Sequence, residues 1–253
     1  MIEAMPAFFD DWLQREVPSP NSPELCCFVE VDGGRALIEA SLTEVITDHL
    51  VGLELLARLL APGAVAAALQ RIPKTPRERS GDLGEILASC WIDECTDFHL
   101  PIRRLRYKAD REFPMHGDDL VAVSDDDLPR LLKGEAKSRA TLNNGTVGDA
   151  DKALNARDGR PKSETLGFLS MRLRETGQDE WAERIEAFLD DCDDTQLEHV
   201  LFTFSGNDPR ELLESVHASA RPLIRRHVIG VTVEDHQAFI HEAFERVAVA
   251  VGG

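Results

Sequence analysis

The chain has 253 residues, 43% of them hydrophobic and 29% charged, with a formal net charge of −18. That balance fits a globular protein with one large domain, or a main domain with an N-terminal addition. The charge argues against a free-standing nucleic-acid binder, because affinity for DNA comes mainly from cations set against phosphate. A local basic patch or a basic partner can still bring nucleic acid to it. No stretch approaches the roughly 20 apolar residues of a bilayer span. The acidic start MIEAMPAFFDDWLQRE also lacks a signal peptide's basic and apolar regions. A cytoplasmic location with no membrane contact is expected. Cys26, Cys27, Cys90, Cys95 and Cys192 include no C-x-x-C pair, so reduced, buried thiols are expected.

Residues 7–15 read as a short helix or arm, broken by Pro18, Pro20 and Pro23. Residues 26–32 alternate like a strand, and Gly33-Gly34 turn it. Ser41 with Glu44 has capping-box spacing ahead of Leu42, Val45, Ile46 and Leu50 at helical intervals. The helical signal continues over 53–60, breaks at Pro62-Gly63 and resumes over 64–72. Pro73 and Pro76 close this mostly helical N-terminal region, residues 1–76, whose apolar stripes suit core packing or a partner contact.

Residues 77–253 form the main domain. A helix over 82–97 is apolar around most of its circumference, leaving Asp82, Glu85, Ser89 and Asp93 on one narrow polar stripe. Spacing alone favours reading Glu85 as a first-turn carboxylate at the positive helix end, with a carboxylate aimed at a metal as the functional alternative. Strands follow at 101–108, 119–124 and 130–138, the last two joined by the turn residues Asp125-Asp126-Asp127-Leu128-Pro129. Helices are expected over 147–156, 164–175 and around Trp181–Leu189. A strand at 198–205, a helix to Ala218, a strand at 227–233 and a closing helix complete the pattern. The order defines an α/β fold with a mixed sheet flanked by helices, and 198–233 reads as a right-handed parallel crossover.

Residues two apart on a strand share a face, so Glu135 and Lys137 project together while Ala136 packs the other way. Asp118 and Asp119 begin the neighbouring strand, and one of them shares that side. Two carboxylates suit Mg2+ or Mn2+, hard cations that take oxygen ligands, activate water and stabilise charge on a phosphate. Lys137 can orient the attacking water or bind the developing oxyanion, and the Ala136 carbonyl can add a ligand. The plain alternative is a solvated ion pair. Arg103, Arg104, Arg106 and Lys108, with Ser138-Arg139, offer phosphate contacts or a salt-bridged face. His116 suits a structural or orienting role. Lys152 and Asn155 are weaker supporting candidates, His236 and His241 are expected to be exposed, and Ser205-Gly206-Asn207-Asp208 reads as a loop and helix cap.

The series Gly81-Asp-Leu-Gly-Glu85, His116-Gly-Asp-Asp119 and Gly134-Glu-Ala-Lys137 resembles the PD-(D/E)xK nuclease superfamily. Within it, the series is most similar to the HamA family, nuclease subunits of the Hachiman anti-phage system. The resemblance covers residues 77–250, although the proline that precedes the superfamily's first acid is absent. It implies a PD-(D/E)xK-like core and a Mg-dependent deoxyribonuclease. It assigns Asp119 rather than Asp118 as the metal-binding acid, with Glu135 and Lys137 as the Glu-x-Lys pair and Glu85 as a further site member. Arg104, Arg106 and Arg139 become candidate substrate contacts. It also implies a HamB-like helicase partner that restrains the nuclease until DNA is engaged. The competing expectations are a restriction-type or signal-activated nuclease of the same superfamily, and an inactive acidic scaffold subunit.

Overall fold

A computed structural model describes residues 8–16, 24–52, 62–108, 117–190 and 193–252. Helix α1 (Phe9–Trp12) runs into strand β1 (Leu13–Glu16), which pairs antiparallel with β2 (Leu25–Glu30). Helices α2 (Gly34–Leu50), α3 (Pro62–Leu69) and α4 (Pro76–Cys95) follow, then β3 (Phe98–His99), β4 (Leu120–Ser124) and β5 (Leu131–Arg139). The remainder is α5 (Asn144–Asn155), α6 (Ser163–Glu175), α7 (Asp179–Asp190), β6 (Leu197–Ser205), α8 (Arg210–Ala218), β7 (Arg225–Thr232) and α9 (His236–Gly252). The described strands form one sheet in the order β1-β2-β7-β6-β5-β4-β3. Strands β5, β6, β7 and β2 run parallel, and the edges are antiparallel. The mixed α/β sheet is therefore as expected, including the 120–134 hairpin and the parallel β6–α8–β7 unit.

Side-chain alternation gives each sheet face its own core. Leu120, Leu132, Val200, Phe202 and Ile229 pack against α2, α4 and α9. On the other face, Val121, Val123 and Leu131 meet α6 and α7, while Leu201 and Val228 meet α5 and α8. The N-terminal residues join the first of these cores: Trp12 is fully buried and stacks on Phe239 of α9, ring centroids 5.2 Å apart. Among the described residues no helix is long and apolar enough to cross a membrane.

Several local expectations fail for physical reasons. Residues 101–108 are not a strand: the two-residue β3 precedes them, and Arg104–Tyr107 form a 3-10 turn. A strand would throw their side chains alternately to two faces. Here Arg103 reaches Asp93 at 2.7 Å, Arg106 reaches Asp48 and Lys108 reaches Asp82. Ser41 lies inside α2, where its hydroxyl bonds the Ile38 carbonyl, because that helix already starts at Gly34. The capping box is made instead by Thr75 and Glu78, so α4 starts at Pro76 rather than Asp82. His236 is buried, not exposed. The helical reading of 53–60, His116 and Cys192 lie outside the described residues.

Candidate active site

Asp119 stands at the entry to β4, beside the β5 segment that carries Glu135 and Lys137. The hairpin register pairs Leu120 with Gly134. That places the next residues outward, Asp119 and Glu135, side by side on one face. The Lys137 ammonium is hydrogen-bonded to the Glu135 carboxylate and lies 3.9 Å from Asp119 Oδ2. Asp119 Oδ2 also accepts a hydrogen bond from the Ala136 N–H at 3.2 Å. Ala136 thus contacts the site through its N–H, and its side chain packs toward the α4 core. Glu85 joins from α4 through Asp119: both line one narrow pocket, together with Ser89, Arg104 and His49.

Two glycines set this geometry. A Cβ on Gly84 would lie 2.9 Å from Ser138 Cβ, so the glycine lets α4 close on β5 and brings Glu85 to the strand ends. A Cβ on Gly134 would lie 2.7 Å from Leu120 Cβ and 2.8 Å from Val200 Cγ1. Each glycine immediately precedes a site acid because backbone and neighbour meet there without room for a side chain.

The acids crowd one another. Burial, then repulsion from Asp119, raises Glu135 to about 7 despite the Lys137 ammonium. Burial also holds Glu85 well above the usual carboxylate range, with Asp119 and Asp82 adding repulsion that Arg104 and Lys108 only partly offset. Burial works against the charge on Lys137, yet Glu135 and Asp119 together keep its ammonium favoured. Two acids therefore share one lysine, and ionisation of both leaves negative charge uncompensated. That surplus, on an all-oxygen donor set, fits a hard divalent cation that keeps part of its own water shell. Among the described residues, no three acidic, histidine or cysteine side chains converge on one point as ready-made ligands.

Asp118 points elsewhere. It is buried, accepts from the Lys162 N–H at 2.7 Å and the Thr165 hydroxyl at 3.0 Å, and lies 3.8 Å from the Lys133 ammonium. Lys133 in turn caps carbonyls at the end of α5, including Ala153 at 2.8 Å. Asp118 thus belongs to a structural pair on the α5–α6 side. The polar stripe of α4 is real, and basic residues of 103–108 line it. Asp82 takes Lys108, Asp93 takes Arg103, and Ser89 bonds the Glu85 carbonyl. Arg104 faces Glu85 and Asp119 without an ion pair to any described residue. Arg106 is tied to Asp48, and Arg139 is exposed at the end of β5.

Lys152 is exposed beside Asp149, and Asn155 bonds Asp151 and Arg226, so neither reaches the acids. Asp208 caps α8 through the Arg210 N–H, in keeping with a loop and cap. Sequence reasoning missed His49, which lines the acid pocket with its Nε2 buried and without a partner among the described residues. Its only signal was a lone imidazole on the apolar stripe of α2.

The fold and site define an α/β protein whose central hairpin gathers acids and a lysine at one end of a mixed sheet. The chain matches the HamA family over residues 6–247 and belongs to it. It is 29% identical over 182 residues to the Hachiman protein HamA of Bacillus cereus, covering 71% of this chain and 65% of that protein.

Proposed function

We propose that this chain is the metal-dependent nuclease effector of an anti-phage defence system, cleaving DNA under the control of a helicase partner. One observation carries the reading: Asp119, Glu135 and Lys137 meet at the end of one hairpin, with Glu85 adjoining through Asp119. Membership of the HamA family and the name of the Bacillus cereus relative support the defence role. Asp119 and Glu135 would hold Mg2+ or Mn2+, with Glu85 and the Ala136 carbonyl completing the shell. A bound cation of this kind supplies an activated water and neutralises charge on the phosphate. Lys137 holds its proton between the two carboxylates, placed to orient the water or meet the developing oxyanion. Arg104 offers a guanidinium to a phosphate oxygen. The −18 charge supports delivery of DNA by a cationic partner.

Purified chain, alone and with a HamB-like helicase, is to be incubated with plasmid and linear DNA in Mg2+. Cleavage is expected to fall by roughly 10²–10³-fold in Lys137→Ala, the range for loss of one preorganised oxyanion donor. Asp119→Asn and Glu135→Gln are expected to abolish both cleavage and Mg2+ binding without lowering the melting temperature. Asp118→Ala is expected to act oppositely, costing about 3–5 kcal/mol of stability by leaving the Lys133 charge buried and unpaired. Robust cleavage by Glu135→Gln would remove the site assignment.

A further inference from the structure

A large cleft in the described structure lies beside the acids rather than on them. It encloses about 880 Å3 between the first turns of α4 and α9 and the end of β5. Its wall carries Lys74, Arg77, Arg79 and Arg139 against the single acid Glu245. Arg79 is committed to Glu245 at 3.0 Å. Lys74, Arg77 and Arg139 have no carboxylate partner among the described residues. This is unusual in a chain with 46 acids against 28 lysines and arginines. In the same protein, Arg103, Arg106 and Lys108 are each consumed by an aspartate. The cleft is therefore a local reversal of the molecule's charge.

Its floor is built firmly. Ser80 of α4, Ser138 of β5 and His236 of α9 form a hydrogen-bonded chain, 2.8 Å between the hydroxyls and 3.1 Å from Ser138 Oγ to His236 Nε2. The cleft also adjoins the segments that carry the acids. Arg139, which lines it, lies two residues beyond Lys137 on β5, about 7 Å further along the strand. Arg77 lies eight residues before Glu85 on α4, about 12 Å along its axis. Cations on two elements thus lead toward the place where those elements present Lys137 and Glu85.

We propose that this cleft is the subsite for the sugar–phosphate backbone of the substrate strand, a proposal that rests on the nuclease reading above. Neighbouring phosphates of a strand held by Arg77, Lys74 and Arg139 enter the site past Arg139. The cleft supplies affinity without sequence preference, since its described lining offers guanidinium and ammonium groups but no Phe, Tyr or Trp platform for bases.

The test separates binding from cleavage. The full chain carrying Glu135→Gln is titrated, in EDTA, against a fluorescent oligothymidylate of about twenty nucleotides, long enough to span a groove of this kind. Arg77→Ala/Arg139→Ala in that background is expected to bind at least ~10-fold more weakly. Its plot of log affinity against log salt is expected to be shallower by about 1.4, the value for two lost single-strand phosphate contacts. Arg77→Lys/Arg139→Lys is expected to recover most of the loss. Unchanged affinity and slope, absence of binding by the parent even at low salt, or equal affinity for polyglutamate would each overturn the cleft. Charge-dependent binding in a chain that never cleaves DNA keeps the cleft and removes the nuclease reading. Cleavage with binding indifferent to Arg77 and Arg139 does the reverse.

Discussion

Glu135 is the residue on which charge, stability and the proposed metal binding meet. Its carboxyl is raised from an ordinary 4.5 to about 7, first by burial and then by Asp119. The folded chain therefore holds a proton there that the unfolded chain has already released, and its stability falls as pH rises from about 4.5 to 7. Two and a half pH units correspond to about 3 kcal/mol. A divalent cation favours the ionised form, so binding should expel this proton below pH 7. Calorimetric Mg2+ titrations in buffers of different ionisation enthalpy, at pH 6, are expected to show release of about one proton, and affinity should climb toward pH 7.5. In Glu135→Gln the proton release should vanish, and the stability decline between pH 5 and 7 should flatten. A decline of unchanged size would assign the titration to another group. This chemistry was legible in the sequence only as far as strand parity reaches. Parity joined Glu135 to Lys137, but the choice between Asp118 and Asp119 needed either the family pattern or the observed Lys133 partner. Lys133 itself, an ammonium buried against helix carbonyls, reads in sequence as an ordinary surface lysine.

At the scale of elements, the site depends on how closely α4 lies on β5. An exposed helical glycine changed to alanine usually gains about 1 kcal/mol. At Gly84 the new Cβ would meet Ser138 Cβ at 2.9 Å, and both atoms are anchored to backbone. Overpacking of that kind costs about 1–3 kcal/mol, so the clash wins. Gly84→Val is expected to lower the melting temperature by roughly 4–8 °C, taking about 2 kcal/mol for a chain of this size. Glu85 should be displaced along with the helix, weakening Mg2+ binding in the same variant. A higher melting temperature for Gly84→Ala would show that the helix does not sit so close. Such contacts were invisible beforehand: a Gly-Glu pair marks a motif but not the atom that forbids a side chain. Apolar periodicity placed most helices and strands well, because it records which face is buried. It failed where local chemistry is ambiguous. Ser41-x-x-Glu44 and Thr75-x-x-Glu78 have the same spacing, and only Thr75 is preceded by a break that frees the helix end. The basic run 103–108 resembled a strand until its cations were seen to seek acids on two different helices.

For the molecule as a whole, the sheet joins the two ends of the chain. Strand β2 pairs in parallel with β7, Leu25 opposite Val228 and Phe28 opposite Val231. Phe8, Phe9 and Trp12 are buried in the core that also holds Phe204, Phe239 and Phe244. Each such aromatic contributes about 1.5–3 kcal/mol by burial alone, against a total stability of about 5–15 kcal/mol for a typical domain. Removing residues 1–76 would uncover this face and leave β7 as an open edge, a template for aggregation. The fragment 77–253 retains Asp119, Glu135, Lys137 and Glu85 in its sequence, yet it is expected to be insoluble or to lack a cooperative thermal transition. Trp12→Ala in the full chain is a milder form of the same test. It should cost about 3–5 kcal/mol and leave the hairpin acids in place, so that residual Mg2+ binding below the lowered transition persists. A monomeric 77–253 fragment that melts cooperatively and binds Mg2+ would show that the N-terminal strands lie on the rest of the sheet without holding it together.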